Sequence, residues 1–314
     1  MENFMFSLNA TFPIFLVILV GWFLKQVHML NDDFVTTANK FNFTVTLPAL
    51  VFKDLAAADV RHDFDGGYVV FCAFVTTISF FTIWGLTRLL MKDKSMRGAF
   101  VQAAFRSSAA VLGFAFIQNI YGESKLASLM IIGTVPLFNI YSVIVLTFEG
   151  EGVEDQKGKI AASVKNICKN PIILAILAGT AVSLLQIRFP VMINKTIQYL
   201  ANMATPLALI ALGAGFEGKA AIARIRPTVL AAMVKLVILP LVFLPLAVHM
   251  GYIGEKMVAL IVMLGSPTTT SCYIMAKNMK NDGALTSSIV VMTTLLASVT
   301  LTFWVYIMKS QGLI

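Results

Sequence analysis

Leu264-Gly265-Ser266-Pro267-Thr268-Thr269-Thr270-Ser271 interrupts the apolar run 257–276, and its reading decides the fold. Residues on either side, such as Val258-Ala259-Leu260-Ile261 and Tyr273-Ile274-Met275, suit a buried helix. Pro267 cannot donate a backbone N–H and crowds the preceding turn, so the helix is expected to break there. Thr268, Thr269, Thr270 and Ser271 can cap a new helix start and offer hydroxyls to a ligand. Unwound backbone inside an apolar run is tolerated at membrane depth only where it lines a protein-covered or water-filled cavity. Gly265 and Pro267 therefore mark a helix break beside a polar cavity.

Nine further apolar stretches flank this one. Hydropathy puts ten spans near 11–24, 41–58, 67–87, 98–120, 126–148, 171–187, 196–216, 227–250, 257–276 and 284–308. A bilayer core needs about 20 apolar residues per helix. With 314 residues, 58% hydrophobic and 13% charged, the chain reads as an all-α polytopic membrane protein with no soluble domain left over. Span 1 shows no small-residue cleavage signal and is read as a retained helix.

Fifteen Lys and Arg residues fall in the connectors after odd-numbered spans and six in those after even-numbered spans or the tail. Positive charge stays on the cytoplasmic side, so both termini are expected outside, in the cell membrane. The net charge of +8 then reads as anchoring on anionic lipid and not as a nucleic-acid footprint. Cys72, Cys168 and Cys272 suggest no disulfide or metal clip, and His28, His62 and His249 no ligand set.

The two halves resemble one another. The run Pro13 to Gly21 matches Pro171 to Gly179, Pro48-Ala49-Leu50 matches Pro206-Leu207-Ala208-Leu209, and Glu123 to Ser128 matches Asp282 to Ser287. Five spans per half make the repeat inverted: 11–148 and 171–309, joined by a cytoplasmic loop 149–170. Inverted repeats are the signature of alternating-access transporters, with the site between Gly/Pro-interrupted spans at corresponding positions. Spans 4 and 9 correspond. In span 4 the interruption is softer, Arg106-Ser107-Ser108 followed by Gly113.

Arg106 lies deep in span 4, just before that interruption, and a guanidinium can grip a carboxylate with two hydrogen bonds. Lys53 and Asp54 lie near the outer end of span 2, where a local ion pair or snorkelling accounts for them. Lys235 lies about two turns into span 8 and either snorkels or contacts a facing carbonyl. Three cations against one acid within the spans favour an anionic substrate. No acid–base pair, His-Glu-x-x-His or nucleotide loop is present, so neither an enzyme nor an ATP-driven pump is expected. No cofactor or metal is expected. Asp54 and Lys235 are the possible coupling residues: proton coupling would fall to Asp54 or the substrate's carboxyl, and sodium coupling to Asn139, Gln118 and Thr268–Thr270.

Leu47-Pro48-Ala49-Leu50-Val51-Phe52, Pro136-Leu137-Phe138-Asn139, Pro206 to Gly213, Lys235 to Pro240 and Ser266-Pro267, in that order, resemble the auxin efflux carrier family, specifically its bacterial malate-permease-like members. The resemblance runs from Pro13 to Trp304. It implies ten helices in two inverted repeats with crossing broken helices 4 and 9, as in bile-acid symporters and sodium–proton antiporters. It also implies a dimerising scaffold of helices 1, 2, 6 and 7 and an elevator-type transport domain of helices 3–5 and 8–10. Asn42, Thr46 and Asn202 would then join the site. The chain departs from the family where an Asn and a Gly-x-Pro usually follow the Arg of helix 4: here stand Ser108 and Gly113-Phe114-Ala115. The expected function is secondary transport of small mono- or dicarboxylates such as malate. An auxin-like aromatic carboxylate carrier, an anion channel and an intramembrane enzyme are the alternatives. Pro267→Ala is expected to slow transport by letting span 9 run continuous, and wild-type turnover in the variant would show that the break does not depend on this proline.

Overall fold

The computed structural model describes residues 2–57, 65–109, 117, 127–150 and 168–314, and no strand occurs among them. The helices are α1 (Glu2–Gln26), α2 (Asp32–Phe41), α3 (Leu47–Ala56), α4 (Gly66–Leu90), α5 (Arg97–Phe105), α6 (Ala127–Glu149), α7 (Pro171–Leu184) and α8 (Val191–Ala214). They continue as α9 (Gly218–Ala223), α10 (Ile225–Met233), α11 (Leu239–His249), α12 (Glu255–Gly265), α13 (Ser271–Asn278) and α14 (Gly283–Ser310). Five unbroken helical stretches are long and apolar enough to cross a membrane: 66–90, 129–149, 191–214, 225–249 and 283–310. Two shorter apolar helices, Phe12–Gln26 and Pro171–Leu184, accompany them. The chain is therefore a polytopic membrane protein.

Helix α4 shows why lipid must be its surroundings. Its inward face buries Tyr68, Phe71, Cys72 and Val75, while Val70, Phe74, Ile78 and Phe81 are exposed on the other side. A helix apolar all round has no face to offer water.

Span 2 begins earlier than hydropathy placed it. Asn31 caps α2 by accepting from Phe34 N at 2.8 Å, and Asp32 and Asp33 stand in the first turn, where carboxylates favour the helix dipole. The polar run through Lys40 is thus helical and not a connector. Between α2 and α3 the chain makes a π turn, Asn42–Thr46, and a second π turn, Val234–Ile238, joins α10 to α11. Each is followed by a proline one residue into the next helix, Pro48 and Pro240. Pro240 cannot donate to Leu236 O, and the Trp304 indole takes that carbonyl instead at 2.9 Å.

The main chain packs by close approach of small residues. α1 runs along α8 and α14, α3 along α7, and α4 along α5 and α6. At the α1–α8 crossing a Cβ on Gly213 would lie 2.0 Å from Ile18 O, and one on Gly21 would lie 2.4 Å from Ile210 O. Glycine is required on both helices, because the main chains leave no room for a methyl group. Helix ends are tied by ion pairs: Arg88–Glu149 at 2.6 Å, Arg224–Asp282 at 2.5 Å and Lys256–Asp65 at 2.6 Å. Asp65 also caps α4 at Tyr68 N, and the hydrogen bond from Lys256, with that cap, holds its carboxyl below the usual aspartate range.

Gly213→Val is expected to force α1 from α8 and destabilise the fold by about 1–3 kcal/mol, the usual cost of overpacking. Gly218→Ala, at a position with open space around its Cβ, is the matched control. Thermal unfolding in detergent checks both, and equal melting temperatures for the two variants would contradict the packing.

Candidate functional site

Two helices end within spans 4 and 9. α5 ends at Phe105, and Arg106 is extended with φ −82° and ψ 134°. α12 ends at Gly265, and Ser266 is extended with φ −73° and ψ 159°. The two unwound strands meet where Ser108 N donates to Pro267 O at 3.0 Å. Gly113, expected at the interruption of span 4, and Gln118, expected to serve sodium coupling, lie outside the described residues.

A helix end leaves up to four carbonyls without intrahelical partners. Here each broken helix is capped by a hydroxyl from the other. Thr268 Oγ1 donates to Ala103 O of α5 at 2.7 Å, and Ser107 Oγ donates to Met263 O of α12. Thr268 N is held in turn by Thr293 Oγ1 at 3.1 Å. Lys235, wholly buried on its π turn, donates through Nζ to Leu264 O at 2.5 Å and to Met263 O at 3.4 Å. Of the two readings of Lys235, contact with a facing carbonyl is the one the structure has.

Arg106 does not snorkel. Its side chain is buried, with Nη2 donating to Asn139 Oδ1 at 2.8 Å and Nη1 to Ser142 Oγ at 3.4 Å and to Met275 Sδ. Asn139 Nδ2 donates to Val135 O at 2.9 Å, which turns the amide oxygen toward the guanidinium. Among the described residues no carboxylate pairs with Arg106 or Lys235. Two buried cations thus share one crossover with neutral partners only.

A cavity opens against this crossover. Its volume of about 90 Å³ is bounded by Arg106, Ser107, Ser108, Asn139, Pro267, Thr268, Thr269, Thr270 and Ser271, and on the opposite wall by Ile14, Leu50, Val51, Asp54 and Thr205. That volume is well above the roughly 10–15 Å³ a cavity needs to admit a water. Thr270 and Ser271 stand at the start of α13, whose N-terminus carries partial positive charge. Asp54 stands 3.7 Å from Lys53 Nζ and is the one carboxylate among the lining residues.

Several expected site residues stand apart. Asn42 Nδ2 donates to Ala204 O at 2.9 Å and Asn42 Oδ1 accepts from Thr46 Oγ1 at 2.5 Å, so this pair ties the π turn to α8, and neither residue lines the cavity. Asn202 is exposed, on the side of α8 away from buried Ala201, Ala204 and Ala208. Ser266 is fully buried, its Oγ has no partner among the described residues, and it does not line the cavity. Met275 and Ser142 were missed: a methionine among sixteen carries no signal of facing a guanidinium. Among the described residues no group of three or more His, Cys, Asp or Glu side chains could hold a metal ion.

A chain of apolar helices with a polar cavity where two of them end is the build of a membrane carrier. The family model for membrane transport proteins matches residues 6–305, and the chain belongs to that family, the auxin efflux carriers. It is 25% identical over 307 residues to an uncharacterized transporter of Methanothermobacter thermautotrophicus, covering 96% of this chain and 98% of the relative. It is 20% identical over 314 residues to the uncharacterized transporter YfdV of Escherichia coli, covering 97% and 98%. It is 24% identical over 314 residues to a protein of Rhizobium meliloti named "Putative malonate transporter", covering 96% and 95%. The protein is a transporter and not an enzyme.

Thr268→Val keeps the side-chain volume but strands Ala103 O. It is expected to lower stability by about 1–3 kcal/mol, the cost of a buried acceptor left unpaired. Thermal unfolding of the purified variant checks this, and an unchanged midpoint would show that Ala103 O finds another partner.

Proposed function

We propose that the protein is a secondary carrier of small organic anions, mono- or dicarboxylates of the size of malonate and malate. The observation that carries this is the cavity at the crossover, where a buried guanidinium with no acid partner among the described residues meets the hydroxyls of Ser107, Ser108 and Thr268–Thr270. A buried cation in a membrane protein is costly unless paired, and it marks a substrate path. Its neutral partners, an amide oxygen, a hydroxyl and a thioether, are weak acceptors that an anion can outcompete. The α13 N-terminus adds partial positive charge on the same side. The relative named for malonate agrees with the anion's size class.

In this reading the chain holds ten membrane-crossing segments in two inverted repeats, 11–148 and 171–309. Helix pairing supports it: α1 against α8 and α3 against α7 exchange with one another when the halves are exchanged. Segments 1, 2, 6 and 7 form the scaffold of a homodimer, and segments 3–5 and 8–10 move the crossover past it as an elevator, with both termini outside the cell membrane. Ile14, Leu50, Val51 and Thr205 then belong to the scaffold wall and Arg106 to the moving part. Asp54, on the scaffold wall, is the group through which a proton could be coupled.

Arg106→Gln is expected to weaken malonate or malate binding to the purified protein about tenfold to hundredfold, the worth of a charge-assisted hydrogen bond or two. Isothermal titration calorimetry in detergent measures it. Unchanged affinity in a variant that unfolds at the wild-type temperature would take Arg106 out of the anion site.

A further inference from the structure

We propose that the Lys235 ammonium is a tethered coupling cation. It occupies a seat at the C-terminal carbonyls of α12 that would otherwise take a free monovalent cation, so the anion binds without added sodium. The inference rests on the carrier reading above and concerns how that carrier balances charge.

In carriers with broken helices, unwound carbonyls and half-helix C-terminal ends are the groups that coordinate a coupling cation. α12 supplies such an end at the crossover. Its Leu264 and Met263 carbonyls carry the partial negative charge of the helix terminus and point at Lys235 Nζ, 2.5 and 3.4 Å away. The ammonium is wholly buried, and among the described residues its hydrogen-bond partners are these carbonyl oxygens. A lysine kept at this depth for packing alone would be expected to pair with an acid or reach the rim. Lys235 does neither among the described residues.

The seat is joined to the anion cavity through one atom. Met263 O accepts from both Lys235 Nζ and Ser107 Oγ, and Ser107 lines the cavity. The ammonium does not touch the anion. It is a positioning group that fixes Ser107 and places a positive charge near Arg106. The π turn at Val234–Ile238 is what presents Lys235 to α12 at this height. Two fixed cations at one crossover, neither paired with a carboxylate among the described residues, suit an anion of two negative charges, which they can neutralise without a travelling cation.

The test is counterflow of labelled malonate and malate into proteoliposomes, in sodium chloride, in methylammonium chloride, and with N-methyl-D-glucamine as the sole bulk cation. Wild-type rates are expected to be the same in all three. Lys235→Ala opens the seat and leaves both carbonyls bare. It is expected to run more than about tenfold slower in N-methyl-D-glucamine and to recover when sodium or methylammonium is supplied. Lys235→Met fills the seat with an apolar chain and is expected to stay slow in every salt. A helix cap of purely structural purpose would not produce recovery by a free ion. Wild-type counterflow that stops without sodium would overturn the inference. So would a folded Lys235→Ala that no small cation restores, or a Lys235→Met variant with the wild-type rate in N-methyl-D-glucamine. If Lys235→Ala does not fold, the wild-type and Lys235→Met arms decide. Wild-type vesicles without counterflow of either anion would remove the carrier reading, and the inference with it.

Discussion

Two hydroxyls hold this molecule's centre. Ser107 caps the end of α12 and Thr268 caps the end of α5, each serving the helix it does not belong to. A helix that stops inside hydrocarbon exposes carbonyls that no water can reach, and each costs several kcal/mol unless something donates to it. Neither break is tenable alone. Placed across one another, each becomes the other's solvent, and the Ser108–Pro267 backbone bond locks the crossing. A polar cavity follows from that arrangement, because the unwound strands that cap one another also turn Thr269, Thr270 and Ser108 toward open space.

Charge follows the same logic. The crossover gathers two helix C-termini, which concentrate partial negative charge, and the chain answers with Lys235 and Arg106. Lys235 is spent on carbonyls. Arg106 is not: its partners are an amide, a hydroxyl and a sulfur, so its charge is left to face the cavity. Around this centre the packing is tight where main chains cross, at Gly21 and Gly213, and apolar on the outside, as on α4.

Much of the fold was legible. Pro267 announced its break because a residue without an N–H cannot continue a helix, whatever surrounds it. Long apolar runs announced α4, α6, α8 and α14 within a few residues of their ends. The start of α2 was not legible from hydropathy, because Asn31, Asp32 and Asp33 make a good helix N-terminus and a poor membrane segment at once. At the site, Arg106, Ser107, Ser108, Asn139 and Pro267–Thr270 were readable as polar residues in apolar context and do meet at one cavity. Asn202 was carried by resemblance alone, and the phase of α8, with Ala201, Ala204 and Ala208 inward, turns it away. The partners of Lys235 could not be read, since they are main-chain atoms set by a π turn 28 and 29 residues before them.

The central claim is that one anion seat lies at the crossing of the two broken helices, against Arg106. Its most direct test is an anomalous-scattering map of crystals soaked with bromosuccinate, whose bromine marks a bound dicarboxylate. A single bromine peak inside the cavity, between Arg106 and Thr268–Thr270, is the expected result. A peak confined to another part of the bundle, with the crossover cavity empty at concentrations that saturate binding in solution, would contradict it.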